Sequence, residues 1–293
     1  GTDWAPIGDN SAKFSGTYDG GGHTISGLYI DGTSTDYIGL FGVISSTAHV
    51  KNVAVVNAEV TGKYRVGVII GKNEGTLSAG YATGMVDAKF NSGGLVGENK
   101  GILKNSYANV EVKKALYGKN GGLVGSNESG ATITNSYSIG KVHPGNSNFG
   151  GLSGSNDGTI TNSYWNTETS GQSTSAGGSG LNGMQMRSQT SFSGWDFSTV
   201  WAIESGSTVS YPYLRNVEQT PHPGKLAVPF TSGTGTSGDP FKVATAAQLD
   251  SVRNFKSAFF TQTADINLDI PAYNSGTDWA PIGDNSAKFS GTY

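Results

Sequence analysis

Hydrophobic and small polar residues alternate over short segments in the first half of the chain. Residues 132–139, for example, read TITNSYSI. An alternation with a period of two is typical of β-strands, because successive side chains of a strand point to opposite faces. The Gly-rich stretches between these segments leave no room for a helix. The pattern therefore predicts a succession of short strands joined by turns.

The alternating segments recur at a nearly constant distance along the chain. They follow tetrapeptides of the type GLVG, whose central apolar residues are 29, 26, 28 and 29 residues apart. Short strands with such a period bury their apolar faces only when they stack. We therefore predict an all-β fold, a right-handed parallel β-helix (β-solenoid) with about 26–29 residues per coil and one short capping helix. The predicted file of core residues is Leu40, Ile69, Leu95, Leu123 and Leu152.

A second column, mostly of asparagine, follows each core residue by ten or twelve positions. If these side chains point inward at a bend, each amide can bond to the amides of adjacent coils and form a ladder. The alternative is that they make turns. A tyrosine two residues further on is expected to pack rather than to form a binding stripe. The ladder candidates are Asn52, Asn105, Asn135 and Asn162, with Ala79 at the same position of one coil.

The same 18 residues, GTDWAPIGDNSAKFSGTY, stand at positions 1–18 and 276–293. This duplication indicates that the parent protein repeats a unit of about 275 residues. Residue 245 is a Thr followed three positions later by Gln, a capping-box signal that predicts a short helix over 245–254, covering the first coil of the following unit. We divide the chain into solenoid coils (1–164), a Trp/Tyr-rich terminal cap or junction (165–218), a linker (219–240) and the start of the next unit (241–293).

Composition narrows the classes of partner and compartment. Only 14% of residues are charged and the net charge is −3, so the chain carries no basic stripe of the kind that binds nucleic acid. The sequence contains no apolar run long enough to span a membrane. It also has no cysteine, which excludes disulfides and thiol chemistry. Gly/Ser/Thr/Asn-rich chains of this type favour an extracellular or cell-surface location on a bacterium.

The tetrapeptides, together with the Asn-Ser-Tyr that follows several of them, resemble the GLUG-motif repeats of large bacterial cell-surface proteins. The lead-in GDPF at 238–241 and the exit YWNTETSG at 164–171 resemble theirs as well. This resemblance implies an adhesin-like repeat region, and similar repeats accompany IgA-specific metallopeptidases. The sequence departs from the motif at Val68, Ala79 and Ser153.

Parallel β-helices also include polysaccharide lyases and hydrolases, which need clustered carboxylates or a suitably spaced acid pair. The acids here do not share one column, and the four histidines lie far apart without an HExxH motif. We therefore predict no catalytic residue, no cofactor and no metal, and interpret the chain as a structural segment of a surface stalk, adhesin or fibre. Its expected partners are neighbouring identical units in the same or other chains.

A glycan-binding adhesion module on the same scaffold is the alternative function, because exposed aromatic rings stack on sugar faces. A polysaccharide-active enzyme is a further one. Packing in a cap or junction is the competing use of the large aromatic residues. The aromatic candidates for junction or glycan contacts are Trp165, Trp195, Trp201, Tyr211 and Tyr213, with Trp4 as an additional glycan candidate.

Overall fold

A computed structural model describes residues 3–113, 117–145, 148–270, 281–283 and 288–293. The described chain is all-β, and its parallel strands wind into a solenoid of about five turns. The fold class predicted from the period of the apolar residues is thus confirmed. Residues 276–280 and 284–287 of the duplicated segment lie outside the described residues.

In the described residues, nineteen strands of two to nineteen residues form the coils of the solenoid. In chain order they are β1 (Thr17–Asp19), β2 (Thr24–Ser26), β3 (Tyr29–Ile38), β4 (Phe41–Ile44), β5 (His49–Gly67), β6 (Ile70–Asn73), β7 (Thr76–Ala88), β8 (Ser92–Gly93), β9 (Val96–Asn99), β10 (Ile102–Lys104), β11 (Tyr107–Val112), β12 (Asn120–Gly121), β13 (Val124–Asn127), β14 (Thr132–Thr134), β15 (Tyr137–Ser138), β16 (Phe149–Gly150), β17 (Ser153–Asn156), β18 (Thr159–Thr161) and β19 (Tyr164–Asn166).

Short elements follow these strands, and the first strand among them, residues 179–181, still pairs in parallel with β19. They are α1 (Thr167–Ser170), β20 (Ser179–Leu181), β21 (Trp201–Ala202), β22 (Thr208–Val209), β23 (Tyr213–Leu214), β24 (Leu226–Ala227), β25 (Phe241–Val243), α2 (Ala246–Ser251) and β26 (Phe260–Gln262), with single 3₁₀ turns at Gln185–Arg187, Gln189–Ser191 and Val252–Asn254.

The predicted core residues stack in one file inside the solenoid. The N–H of Ile69 donates to the carbonyl of Leu95 at 3.1 Å, and the N–H of Leu95 donates to that of Leu123 at 2.9 Å. The N–H of Leu123 donates in turn to the carbonyl of Leu152 at 2.9 Å. These four side chains are fully buried, and with Leu40 they belong to one hydrophobic cluster. Each coil thus covers the apolar side chains of its neighbours, which a single coil cannot do alone.

The predicted asparagine column makes turns and not an inward ladder. Asn52, Asn105, Asn135 and Asn162 have φ angles between 46° and 51°, in the left-handed region, and none of them is buried. Asparagine tolerates this conformation better than other non-glycine residues, which suits it to the corner between two strands. Ala79 adopts the same conformation with φ of 51°. Turn chemistry, the alternative interpretation, therefore accounts for this column.

An amide ladder does exist, but in another column. Asn73 donates from Nδ2 to Oδ1 of Asn99 at 2.7 Å, Asn99 donates to Asn127 at 2.8 Å, and Asn127 donates to Asn156 at 2.7 Å. The first three side chains are fully buried. Each residue lies two positions after the second glycine of a tetrapeptide, so a sequence signal for the ladder was present. In the first of the coils that carry a tetrapeptide, that position is Ile44, which pairs with Asn73.

The predicted short helix is present at the start of the last segment. The Thr245 side chain accepts a hydrogen bond from the N–H of Gln248, and the Gln248 side chain accepts one from the N–H of Ala244. Together these bonds satisfy backbone donors that the first turn of α2 leaves free. The helix connects β25 to β26 along the chain, and these two strands pair directly with each other in parallel. We call residues 226–262 the lead-in module.

The lead-in module has a hydrophobic cluster of its own. Residues 219–240, predicted to be a linker, contribute β24, which pairs with β22, and the buried Phe230. The cluster comprises Phe230, Phe241, Val243, Val252, Phe255, Ala258 and Phe260. Four of these seven residues are buried phenylalanines, so the segment after the solenoid is packed around a small aromatic core and is not extended.

Candidate functional site

A column of tyrosines forms one flank of the solenoid. Parallel pairing aligns Tyr81, Tyr107, Tyr137 and Tyr164 in successive coils. The rings of Tyr81 and Tyr107 are 5.0 Å apart and those of Tyr107 and Tyr137 are 4.8 Å apart, with interplanar angles of 3° and 5°. The column belongs to a second hydrophobic cluster, distinct from the one that contains the leucine file.

Residues 185–219, which we call the cover segment, lie over this tyrosine column. The hydroxyl of Tyr81 donates to the carbonyl of Glu218 at 2.7 Å, and that of Tyr107 donates to Oε1 of Gln219 at 2.7 Å. The hydroxyl of Tyr137 donates to the carbonyl of Pro212 at 2.5 Å. The phenol groups thus join the cover segment to three successive coils. Sequence reasoning missed Glu218 and Gln219, since nothing in their surroundings distinguishes them from loop residues.

The cover segment runs along the solenoid axis from the first coil to the last. The N–H of Glu218 donates to the carbonyl of Gly22 in the first coil at 2.9 Å. At the other end, Nε1 of Trp195 donates to the carbonyl of Asn162 at 2.7 Å. An element fixed at both ends resists separation of the coils between them. The cover segment therefore braces the solenoid along its axis.

Burial determines the protonation state of the tyrosine column. It raises the pKa of Tyr81 to about 12, with a smaller contribution from nearby Glu218. It also raises the pKa of Tyr107 and of Tyr137 well above the ordinary value, and the neighbouring tyrosines add to this shift. The phenols consequently remain protonated donors at neutral pH and are unsuited to general-base chemistry.

Most of the aromatic residues predicted to contact a junction or a glycan are buried within the unit. Trp195, Trp201 and Tyr211 are 8%, 0% and 5% exposed and belong to the cluster beneath the cover segment. They pack against the tyrosine flank of their own solenoid and are closed to a sugar ring. Tyr213 is half-buried and stacks on the ring of His222 at 3.6 Å. Trp4 is 42% exposed and donates from Nε1 to the carbonyl of Leu40.

Trp165 closes the inner core at the last coil. Its column contains Ala82, Ala108 and Ser138 in the preceding coils, so the large indole ends a file of small side chains. The ring lies so close to Gly151 that a Cβ at that glycine would be 2.0 Å from it. Its Nε1 donates to the carbonyl of Gln172 at 3.0 Å. Of the two alternatives for this residue, the structure therefore favours a terminal cap.

Glu74 and Glu98, two of the acidic residues that follow the tetrapeptides, are paired with basic residues. Glu74 lies 2.6 Å from both Lys13 and Lys72. The Glu98 carboxylate, 6% exposed, lies 2.6 Å from Arg65. Within the described ranges, no three His, Asp or Glu side chains are grouped so as to hold a metal ion. The pairs with Lys13 and Arg65 join different coils, whereas Lys72 and Glu74 belong to the same coil.

A groove of about 530 Å³ opens where the solenoid meets the end of the cover segment. Its floor consists of the tyrosine flank, with Tyr81 and Tyr107 beside the polar side chains of Asn57, Thr83 and Asn109. Residues 218–224 form the opposite wall. Polar groups on a regular coil spacing and aromatic ring edges are features that a carbohydrate chain could contact.

Comparison with known proteins gives distant relatives. No family model matches the chain, and no solved structure matches it. Halomucin from Haloquadratum walsbyi is 44% identical over 78 residues, which cover 27% of this chain and 1% of halomucin. A protein of Evansella cellulosilytica, described as a Gly-rich membrane protein, is 28% identical over an alignment that covers 73% of this chain and 40% of that protein. The chain thus spans less than half the length of either relative. Among the described residues, no helix is both long and apolar enough to cross a membrane.

Proposed function

We propose that this chain is a rigid unit of a tandemly repeated stalk or fibre at the cell surface and that it performs no catalysis. The observation that carries the proposal is the packing at the repeat boundary. Ile282 and Phe289, which are the second copies of Ile7 and Phe14, pack against the cluster of the lead-in module. A boundary that is packed in this way transmits bending from one unit to the next, which a flexible linker does not.

The interior of the unit is suited to the same task. Backbone hydrogen bonds between coils run parallel to the solenoid axis, and the asparagine ladder and the cover segment add side-chain bonds in that direction. Extension along the axis would break many of these bonds together. Low charge and a surface rich in small polar residues suit a passive coat.

A surface location and an adhesin-like role complete the proposal. One relative is named as a mucin and the other as a membrane protein, and both names support a place at the cell envelope. The GLUG-like tetrapeptides support a repeat region of a bacterial surface protein, and neighbouring identical units are its proposed partners.

A chain in which residues 1–275 are followed by residues 1–293 tests the proposal. We expect small-angle scattering to show a straight rod, about twice as long as the single unit, because the lead-in module continues the stack into the second solenoid. The control carries a Gly/Ser insertion after residue 270 and is expected to sample bent shapes. If the two chains scatter alike, with a broad range of distances between units, the boundary is flexible and the stalk proposal fails.

The groove beside Tyr81 supports glycan binding as a second candidate function. Asn109 is exposed at its edge, and its amide is suited to bond sugar hydroxyls. We expect an Asn109→Ala variant to lose retention on an immobilised glycan panel. Thr159→Ala is the control and should retain binding, because Thr159 is exposed but lies beside Thr132 and does not line the groove. Absence of retention by the parent chain across the panel would remove this candidate.

A further inference from the structure

One end of the solenoid presents an apolar face that the described residues of the unit leave partly uncovered. In the first coil, Ile7, Phe14, Tyr18 and Ile25 are only partly buried where they pack on the inner core. Strand β1 pairs with β5, and within the described ranges no strand pairs with its other edge. An unpaired strand edge beside apolar side chains is a surface to which another strand can add.

The second copy of the same sequence shows what covers this face. Thr292 stands at the position of Thr17 in the duplicated segment. The N–H of Phe260 donates to the carbonyl of Thr292 at 2.7 Å, and the N–H of Thr292 donates to that of Ala258 at 3.3 Å. Strand β26 therefore lies beside the second copy on the side that is open in the first copy.

The side chains of the second copy repeat this arrangement. Ile282 and Phe289 pack on the cluster of the lead-in module, whereas in the described part of the chain their equivalents Ile7 and Phe14 pack on the solenoid core. The two segments have one sequence, so a surface that fits one of them also fits the other.

On this basis, and resting on the proposed function as a stacking unit, we propose that the first coil binds the lead-in module of a second copy of this chain, head to tail. In each chain Ile282 and residues 289–292 already occupy the module, so assembly between separate chains requires their displacement. A head-to-tail contact of this kind uses two different surfaces and continues into open filaments.

Gly16 and Gly291 occupy the same position in the two copies of the duplicated sequence, and substitution of each has a different effect. One copy belongs to the first coil, and the other is docked on the lead-in module. A Cβ at Gly291 would lie 1.9 Å from the carbonyl oxygen of Ala258, so alanine cannot fit there while the segment is docked. A Cβ at the equivalent Gly16 would meet only ring carbons of Phe14, the nearest at 3.5 Å, which is ordinary contact. Gly16→Ala should therefore leave the first coil folded and prevent it from receiving a module.

The test uses the full chain and light scattering coupled to size-exclusion chromatography. The parent chain is expected to have the mass of one chain, 30.3 kDa. A Phe289→Asp, Gly291→Ala variant is designed to release its terminal segment. In the docked segment the new carboxylate would face the apolar cluster, and the new Cβ would clash with the carbonyl oxygen of Ala258. We expect the variant to form multiples of the mass of one chain that grow with concentration. Adding Gly16→Ala to this variant is expected to restore the mass of one chain, and adding Ser15→Ala, an exposed neighbour, is expected to leave assembly intact.

Two results would overturn the inference. The first is a released variant that stays at the mass of one chain at every concentration, while hydrogen exchange shows that the amide of Phe260 has lost its protection. The second is assembly that persists with Gly16→Ala, since that would reflect unspecific association of exposed phenylalanines. If exchange shows the segment still docked, Thr292→Pro is added to remove its remaining N–H donor. If the two-unit chain is a rod but the released variant keeps the mass of one chain, the proposed stacking of units within one chain is supported. Only the proposed binding between separate chains then fails.

Discussion

Replacing Trp201 with alanine is expected to lower the free energy of unfolding of the cover segment by about 3–5 kcal/mol, the usual range for a fully buried large aromatic residue. Trp201 is 0% exposed, and its ring centroid is 4.4 Å from that of Trp195 and 5.9 Å from that of Tyr137. Truncation leaves a cavity between the cover segment and the tyrosine flank. The segment is then expected to detach from the solenoid in denaturant before the coils themselves unfold.

Two spectroscopic signals distinguish these events. Near-ultraviolet circular dichroism reports the packing of the tyrosines and tryptophans, and far-ultraviolet circular dichroism reports the strands. We expect the first signal to change at lower denaturant in Trp201→Ala, while the second changes little, since the inner cluster does not contain Trp201. Trp4→Ala is the matched control, and its cost should be about 1 kcal/mol or less because the side chain is 42% exposed. Equal losses in both variants would show that the cover segment does not depend on its buried core.

The solenoid could be predicted because one apolar position of the sequence repeats once in every coil. Leu95, Leu123 and Leu152 recur at one position of each coil, and the burial of such a column has only one economical solution, which is stacking. The short helix could be predicted for a similar reason, since Thr245 and Gln248 form a local signal that does not depend on distant contacts. Local chemistry and a strict period are the features that a sequence reveals by itself. The hand of the solenoid remains a prediction.

The tyrosine flank shows where that reasoning ends. The column of Tyr107 and Tyr137 is as regular as the leucine file, yet its side chains lie in the other cluster and are buried only because the cover segment lies over them. That contact joins residues such as Tyr107 and Gln219, which are 112 positions apart. A period along the chain indicates that residues are aligned but does not indicate what lies against them. For the same reason the sequence leaves a cap, a junction and a glycan contact open for Trp195 and Trp201, and the structure packs both within their own unit.

The sequence does not show which asparagine column forms the ladder, and the reason is a different one. Both columns repeat with the coil, and asparagine serves equally well in a left-handed corner and in a stacked amide ladder. The corner column tolerates Ala79, which keeps the backbone conformation but has no amide. The ladder column is replaced only at Ile44, in the first of the five tetrapeptide coils, where the ladder has no preceding amide to accept from. The two columns thus differ in where the asparagine is replaced: inside the column for the corner, and at its end for the ladder.

Replacing Asn99 with alanine is expected to lower the free energy of unfolding by about 2–4 kcal/mol, because it interrupts this ladder at an inner position. Asn99 accepts from Asn73 at 2.7 Å and donates to Asn127 at 2.8 Å, and all three side chains are 0% exposed. Without Asn99, the Oδ1 of Asn127 loses its donor in a place that water does not reach. The amide nitrogen of Asn73 keeps only its weaker bond to the carbonyl of Ile102 at 3.1 Å.

Two further variants separate the ladder from the simple loss of an asparagine. Asn156→Ala removes the last member, which is only partly buried, and is expected to cost about 1 kcal/mol because just one buried amide loses an acceptor. Asn105→Gly alters a left-handed corner with φ of 50°, where glycine fits without strain, so its effect should be near zero. Chemical denaturation of the three variants should therefore rank them with Asn99→Ala least stable and Asn105→Gly most stable. If Asn105→Gly proves the most damaging, the corner asparagines and not the buried ladder hold the coils in register.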